Sequence, residues 1–378
     1  MTLTPTDVEA AVGARYGAGA AAVEPELCCP VDYDVELLRV IPAEVLERDY
    51  GCGDPSRHLR RGETVLDLGS GGGKIAFIAA QVVGPEGRVI GVDMNAEMLA
   101  LARDARGQVA AALGYDNVGF RRGRIQDLGL DLDGLTDWLG ANPIVDLDGL
   151  VSLEAEIARR RREEPLVADG SVDVVVSNCV LNLVASDHKA ALFSEIHRVL
   201  RRSGRAVISD IVSDTEVPEA MRADPELWSG CVSGAFQEEV FLRAFEDAGF
   251  HGITVASRDD PPWRVVEGIA FRSMTVIAYK GKDGPCHDHG QAVIYTGPWR
   301  SVEDDDGHVL RRGVPTAVCA KTFELYGREP YAGSFERLEP AEPVDPATAE
   351  RFDCADEGSR RPTGDLRRRA DDDAVPCC

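Results

Sequence analysis

The sequence predicts an α/β protein: a parallel sheet flanked by helices, followed by a smaller α+β unit. Three observations predict it. An apolar strand pattern (Val65, Leu66, Leu68) runs straight into the cluster Gly69-Ser70-Gly71-Gly72-Gly73, and a helical pattern (Ile75, Ile78, Ala79, Val82) follows at once. A second strand, Arg88–Asp93, ends on a carboxylate 26 residues after Asp67. Further on, the β-branched run Val172–Val176 and the strand Arg205–Asp210 alternate with a helix over Ala190–Leu200, which is the alternation of a parallel sheet with ligands above its carboxyl ends.

The glycine loop admits three nucleotide-binding readings. A phosphate-binding P-loop needs Ser or Thr after Lys74, where Ile75 stands, and a dinucleotide fingerprint needs glycine where Lys74 stands. The form Asp67-Leu68-Gly69-Ser70-Gly71-Gly72-Gly73 instead resembles the S-adenosyl-L-methionine (SAM) loop of Rossmann-like class I SAM-dependent methyltransferases. Asp93 stands where it accepts both hydroxyls of a nucleoside ribose, Met94 follows, and Asn95 caps a helix carrying Met98, Leu99, Leu101 and Ala102. Ile125 is expected as an apolar wall for adenine and Gln126 as its hydrogen-bonding partner; Asp67, Gly69, Ser70, Gly71 and Asn178 complete the expected cofactor contacts.

A chain of 378 residues exceeds one ordinary domain. The expected order is an N-terminal helical cap with thiols (1–60), a SAM-binding domain (61–282), a small C-terminal domain (283–355) and a disordered tail (356–378) ending in Cys377-Cys378. Within the cap, helical patterns start at Val8, Ala11, Val12 and Tyr16 and again over Val35–Tyr50. The second ends at the turn cluster Gly51-Cys52-Gly53-Asp54-Pro55. An acidic, Leu-rich stretch, about 129–165, interrupts the sheet order and reads as one or two amphipathic surface helices outside the SAM pocket. A helix over Glu238–Ala248, a strand over Arg272–Tyr279 and later strands near Gln291–Tyr295 and Thr316–Cys319 follow.

The net charge of −24 argues against nucleic acid or anionic lipid as partner. No apolar run approaches the ~20 residues of a membrane span, and no basic segment with an apolar core opens the chain, so a cytoplasmic protein without membrane association is expected. In a reducing compartment, ten cysteines read as metal ligands, reactive thiols or buried apolar residues. Cys52, Cys179 and Cys231 sit in loops of distant segments, and Cys179 ends the strand beside the expected methyl group. Structural zinc usually brings a close Cys pair of two-to-four spacing, and the only pairs here are directly adjacent; inert burial and a trigonal thiolate site for a soft centre with a lone pair stand open for these three.

The chain also resembles the arsenite methyltransferases. The resemblance is carried by Tyr50-Gly51-Cys52-Gly53, Val65 to Gly72, Gly91-Val92-Asp93-Met94, Gly114-Tyr115 to Leu128, Ser177 to Leu183, Asp224-Pro225 with Trp228, and Gly230-Cys231 to Ala235. It extends to Asp288-His289-Gly290-Gln291-Ala292, Val318-Cys319 and Phe352-Asp353-Cys354. It implies that Cys52, Cys179 and Cys231 bind trivalent arsenic, or a thiol conjugate of it, and that arsenic's lone pair takes the SAM methyl group in line. It also implies that Cys28 or Cys29 can form a disulfide with Cys52, returning arsenic to the trivalent state and leaving a thiol reductant to reopen the bond. The 129–165 insertion and the surroundings of Cys28-Cys29 (Pro30, Asp32, Tyr33, Asp34) depart from the plain arsenite pattern. The alternative is a SAM enzyme for another metalloid or an organic acceptor, with structural or redox-active cysteines.

Overall fold

The computed structural model describes residues 4–21, 31–281, 285–304, 307–340, 342–345 and 347–354, so Cys28, Cys29, Cys377 and Cys378 and the expected disordered tail lie outside the described residues. The chain divides into two compact units, 1–280 and 281–378.

The first unit opens with helix α1 (Pro5–Ala21), which runs on through the small residues Gly17–Ala21. The expected helix over 35–50 is instead two short ones, α2 (Val35–Leu38) and α3 (Ala43–Glu47). Pro42 divides them: a proline disfavours helical angles in the residue before it, and Pro42 stands at the N-cap position of α3. Strand β1 (Thr64–Leu68) leads through the glycine loop into α4 (Lys74–Val83). Next come β2 (Arg88–Asp93), α5 (Ala96–Leu113) and β3 (Val118–Arg122). The acidic stretch forms α6 (Leu132–Ala141) and α7 (Leu147–Glu163), neither with a buried residue, consistent with its amphipathic composition. Strand β4 (Val172–Asn178), α8 (Lys189–Val199), β5 (Leu200–Ser213), α9 (Glu219–Arg222) and α10 (Pro225–Ser229) follow. The unit closes with β6 (Phe236–Gln237), α11 (Glu238–Asp247), β7 (His251–Arg258), β8 (Arg264–Val266) and β9 (Ile269–Tyr279).

The main sheet has the order β3-β2-β1-β4-β5-β9-β7. Its first five strands are parallel, but β9 inserts antiparallel between β5 and β7, so the expected parallel sheet is mixed at one side. Gly204, just ahead of the strand expected over Arg205–Asp210, reads in the sequence as a turn, but strand β5 runs through it. A Cβ there would lie 2.8 Å from the carbonyl of Asp173 and 2.9 Å from that of Arg201. Glycine lets these backbones meet at the irregular register between β4 and β5.

Alternation along the central strands sends Val65, Val89, Val174, Val176 and Val207 to one face, with Phe77, Ile78 and Leu99 of α4 and α5. Leu66, Leu68, Ile90, Val175 and Ile208 face the other way, against Leu192, Phe193, Phe241 and Phe245 of α8 and α11. Two-sided burial holds the sheet rigid and leaves its carboxyl edge as the place where loops converge. No helix among the described residues is long and apolar enough to cross a membrane.

The second unit pairs Ala292–Tyr295 with Pro315–Ala317 and Phe335–Leu338, around an apolar cluster of Val293, Tyr295, Leu310, Val318, Phe323 and Tyr326. A short ladder joins His287–Asp288 to Glu350–Arg351.

Candidate active site

Above the carboxyl ends of β1, β2 and β4 lies a cleft with about 1040 Å³ of free space, open solvent at its mouth included. That is room for a nucleoside-sized ligand. Every residue expected to touch the cofactor borders it: Asp67, Gly69, Ser70, Gly71, Asp93, Met94, Ile125, Gln126 and Asn178. None of α6 or α7 does.

The glycine loop is fastened to the end of β2. The amides of Gly69 and Ser70 donate to the Val92 carbonyl at 2.8 and 3.1 Å. The Gly71 amide donates to Asp93 Oδ2 (2.9 Å), and the Asn95 amide to Asp93 Oδ1 (2.8 Å). Asn95 in turn caps α5 by accepting from the Met98 amide. Burial raises the Asp93 carboxyl despite these bonds. Burial first, then the Asp49 and Asp93 carboxyls, push Asp67 up to about 8. Asp67 Oδ2 and Ser70 Oγ are buried with no partner, so the cleft offers polar atoms that await a polar ligand.

Of the acids in the lining, Glu9 pairs with Arg124, Asp49 pairs with Lys74 and Asp67 keeps its proton at neutral pH, which leaves Asp93. Arg48 is the one cation among the lining residues, a poor setting for a pyrophosphate. These features fit SAM, which Asp93 would hold by its ribose and the glycine loop by its methionine portion.

Lys74 takes another part. Its ammonium pairs with Asp49 and lies 3.8 Å from the centre of the Tyr33 ring, tying the N-terminal segment to the first turn of α4. Tyr33 then donates its hydroxyl to the Gly53 carbonyl at 2.9 Å.

Beside the cleft, Cys52, Cys179 and Cys231 join one apolar cluster with Ile211, Val217, Met221, Val232, Ala235 and Phe271. All three are buried, each 4–5% exposed, so bulk water is excluded from them. Cys179 is central: its carbonyl accepts from Cys231 Sγ at 3.4 Å, and its sulfur lies within 4.8 Å of that of Cys52. Cys231 pulls the Cys179 thiol down, but Cys52 and burial outweigh it and hold the thiol well above its usual range. Cys231 is likewise raised, by Cys179 and by burial. Without a ligand, the Cys179 and Cys231 thiols are therefore protonated.

The backbone fixes these sulfurs. Cys179 (φ 64°) and Cys231 (φ 59°) both adopt the left-handed region, which costs a non-glycine residue about 1–3 kcal/mol. Asp210 helps to impose the first. Its fully buried carboxylate accepts the amides of Leu181 (2.8 Å) and Ile211 (2.8 Å) and the side-chain amide of Asn182 (2.8 Å), locking the turn after Cys179. An oxygen of Asp210 and the sulfurs of Cys52 and Cys179 lie within 4.8 Å of one another, yet these bonds make the carboxylate a brace for the turn.

Cys52 is held from across the cleft. A Cβ on Gly51 would lie 2.1 Å from Asn178 Nδ2, and one on Gly53 2.7 Å from the Cβ of Ser209, so only glycine lets this loop press onto β4 and β5. Asn178 Oδ1 accepts the amides of Cys52 and Gly53, and its Nδ2 donates to the Gly53 carbonyl at 2.8 Å. Its polar atoms thus hold the Cys52 loop, although the side chain borders the cleft.

Helix α1 contributes a wall that the sequence did not disclose. Val8 and Val12 pack on Ala185 and Trp228, Glu9 Oε1 accepts from Gln126 Nε2 at 3.1 Å, and the Tyr16 hydroxyl lies 3.8 Å from Cys231 Sγ. The apolar spacing of Val8, Val12 and Tyr16 signalled a helix face but not its partner.

Residues 59–142 and 148–249 match a family described as a methyltransferase domain, and 282–368 match a domain of unknown function (DUF8838). An arsenite methyltransferase of Aquipseudomonas alcaligenes is 32% identical over 314 residues, covering 79% of this chain and 80% of that protein. One from Halobacterium salinarum is 37% identical over 212 residues, 56% of this chain and 43% of its own length, so the chain spans less than half of that relative. The crystal structure of an arsenic (III) S-adenosylmethionine methyltransferase from Chlamydomonas reinhardtii superposes with a TM-score of 0.53 at 28% identity, covering 88% of this chain and all of that one. The glycine loop, the acid closing β2, the sheet order and these relatives agree: this chain is a Rossmann-like SAM-dependent methyltransferase and belongs to the arsenite methyltransferase family.

Proposed function

We propose that the enzyme methylates trivalent arsenic held by the thiolates of Cys52, Cys179 and Cys231. The observation that carries this reading is the position of Cys179, which borders the cofactor cleft, accepts from Cys231 Sγ at its carbonyl and has its sulfur within 4.8 Å of that of Cys52. SAM supplies an electrophilic methyl group on a cationic sulfur. Asp93 and the glycine loop hold its nucleoside and methionine ends, and Val180, Leu183 and Val184 keep the adjoining wall apolar. A dry, uncharged wall favours a step in which positive charge disperses.

Loading the site needs no general base. Each protonated thiol gives its proton to a departing arsenic hydroxide, an As–S bond replaces an As–O bond, and water leaves. Arsenic's lone pair carries no proton, so positioning is the main demand on the protein. Methylation raises arsenic to the pentavalent state. Two thiolates closing to a disulfide supply the two electrons that return it, with Cys28 or Cys29 as the reading's partner for Cys52. A cellular thiol then reduces the disulfide, which fits a cytoplasmic setting; nucleic acid has no part.

The test is incubation of the purified chain with arsenite, a thiol and methyl-labelled SAM, followed by chromatographic speciation. Labelled methylarsenicals are expected. Their absence, with SAM binding intact, would transfer the reading to an organic or other metalloid acceptor.

A further inference from the structure

The smaller unit gathers three more thiols from separate segments. Cys286 precedes the strand His287–Asp288, Cys319 stands immediately before the helix Ala320–Tyr326, and Cys354 follows the strand Glu350–Arg351. Pairing of His287 with Arg351, and the bond from the Phe352 amide to the Cys286 carbonyl (2.9 Å), bring the first and last together. Gln291 Nε2 holds the carbonyl of Val318, next to Cys319. The Cys286 and Cys354 sulfurs lie 3.4 Å apart, and all three sulfurs lie within 4.8 Å of one another.

Cys319 is buried, but the other two sulfurs are open to a ligand. The apolar cluster of this unit excludes them, and Cys286 and Cys354 are only half-buried, so a ligand can reach them. Three thiols converging on one point suit a soft, thiophilic cation. Among the described residues no carboxylate or imidazole joins them at that distance. Structural zinc takes four ligands. Trivalent arsenic takes three and keeps a lone pair in the fourth direction.

We propose that Cys286, Cys319 and Cys354 form a second, non-catalytic site that binds trivalent arsenic as a tris-thiolate. Three S–H protons leave with three arsenic hydroxides as water, three As–S bonds form, and no electrons are exchanged. The choice of arsenic rests on the proposed function; the convergence of the thiols does not.

The experiment uses the full chain carrying Cys179→Ser and Cys231→Ser, so that the catalytic cluster is disabled. After incubation with arsenite and desalting, elemental mass spectrometry counts arsenic per chain. Adding Cys286→Ser and Cys354→Ser, at half-buried positions where folding is checked by circular dichroism, should remove one arsenic per chain. In the unsubstituted chain, arsenite should protect Cys286, Cys319 and Cys354 from alkylation with one common midpoint. An unchanged arsenic count, protection of fewer than three sulfurs, or tightly held zinc that keeps arsenite out would overturn the proposal. The counts need no methyl transfer, so failure of the catalytic reading would appear separately, as missing methylated product.

Discussion

Asn178 Oδ1 accepts the backbone amide of Cys52 at 2.9 Å, across 126 residues of chain. This bond, with its companion to the Gly53 amide at 3.0 Å, fastens a loop thiol to the end of a rigid central strand. Asn178→Ala removes both, at about 1 kcal/mol each net. The expected result is roughly tenfold or more weaker capture of arsenite, with SAM affinity nearly unchanged because the amide's polar atoms serve the loop. Titration of each ligand by calorimetry checks this; a larger loss for SAM than for arsenite would assign Asn178 to the cofactor instead.

The thiols should separate by role. Cys179 is central to the cluster and Cys231 touches it, so Cys179→Ser and Cys231→Ser should each abolish arsenic methylation. Cys52→Ser should impair later methylations more than the first, since Cys52 is the proposed disulfide partner. SAM affinity should persist in all three. Product speciation for each variant is the measurement, and full activity in Cys179→Ser would make the cluster ordinary core.

Asp93→Ala should lower SAM affinity by at least about tenfold, since each charge-assisted bond to a ribose hydroxyl is worth about 1.5–3 kcal/mol. The same change frees the Gly71 and Asn95 amides, which now share this carboxylate, so the glycine loop should also loosen. Unchanged affinity by calorimetry would place the ribose elsewhere.

Much of the site was legible in the sequence because its signals are local. A strand entering glycines, an acid ending the next strand, and Asn178-Cys179 closing a β-branched run each lie within a few residues. The contacts that complete the site are not local. Tyr16 meets Cys231, Glu9 meets Gln126 and Asp210 braces the turn after Cys179, and no spacing rule joins such positions. The helix expected over 35–50 breaks at Pro42, which apolar spacing alone does not register. The second thiol cluster has no close-pair spacing to announce it: strand pairing brings Cys286 to Cys354, and Gln291 holds the carbonyl beside Cys319.

Asp67 makes a prediction about pH. Its carboxyl rises from an ordinary value near 3.8 to about 8 on folding, through burial and the neighbouring Asp49 and Asp93 carboxyls. The folded chain therefore holds this proton more tightly than the unfolded chain. The associated stability is full below the unfolded value and is lost progressively as pH rises through the folded one. Asp67→Asn keeps the shape and removes the titration. In the ligand-free enzyme, the melting temperature of the variant minus that of wild type should therefore grow between about pH 6 and pH 8 and level off above that. Differential scanning calorimetry across this range checks it. A difference that stays constant with pH would mean that Asp67 is ionised in the empty cleft, with Oδ2 satisfied by solvent.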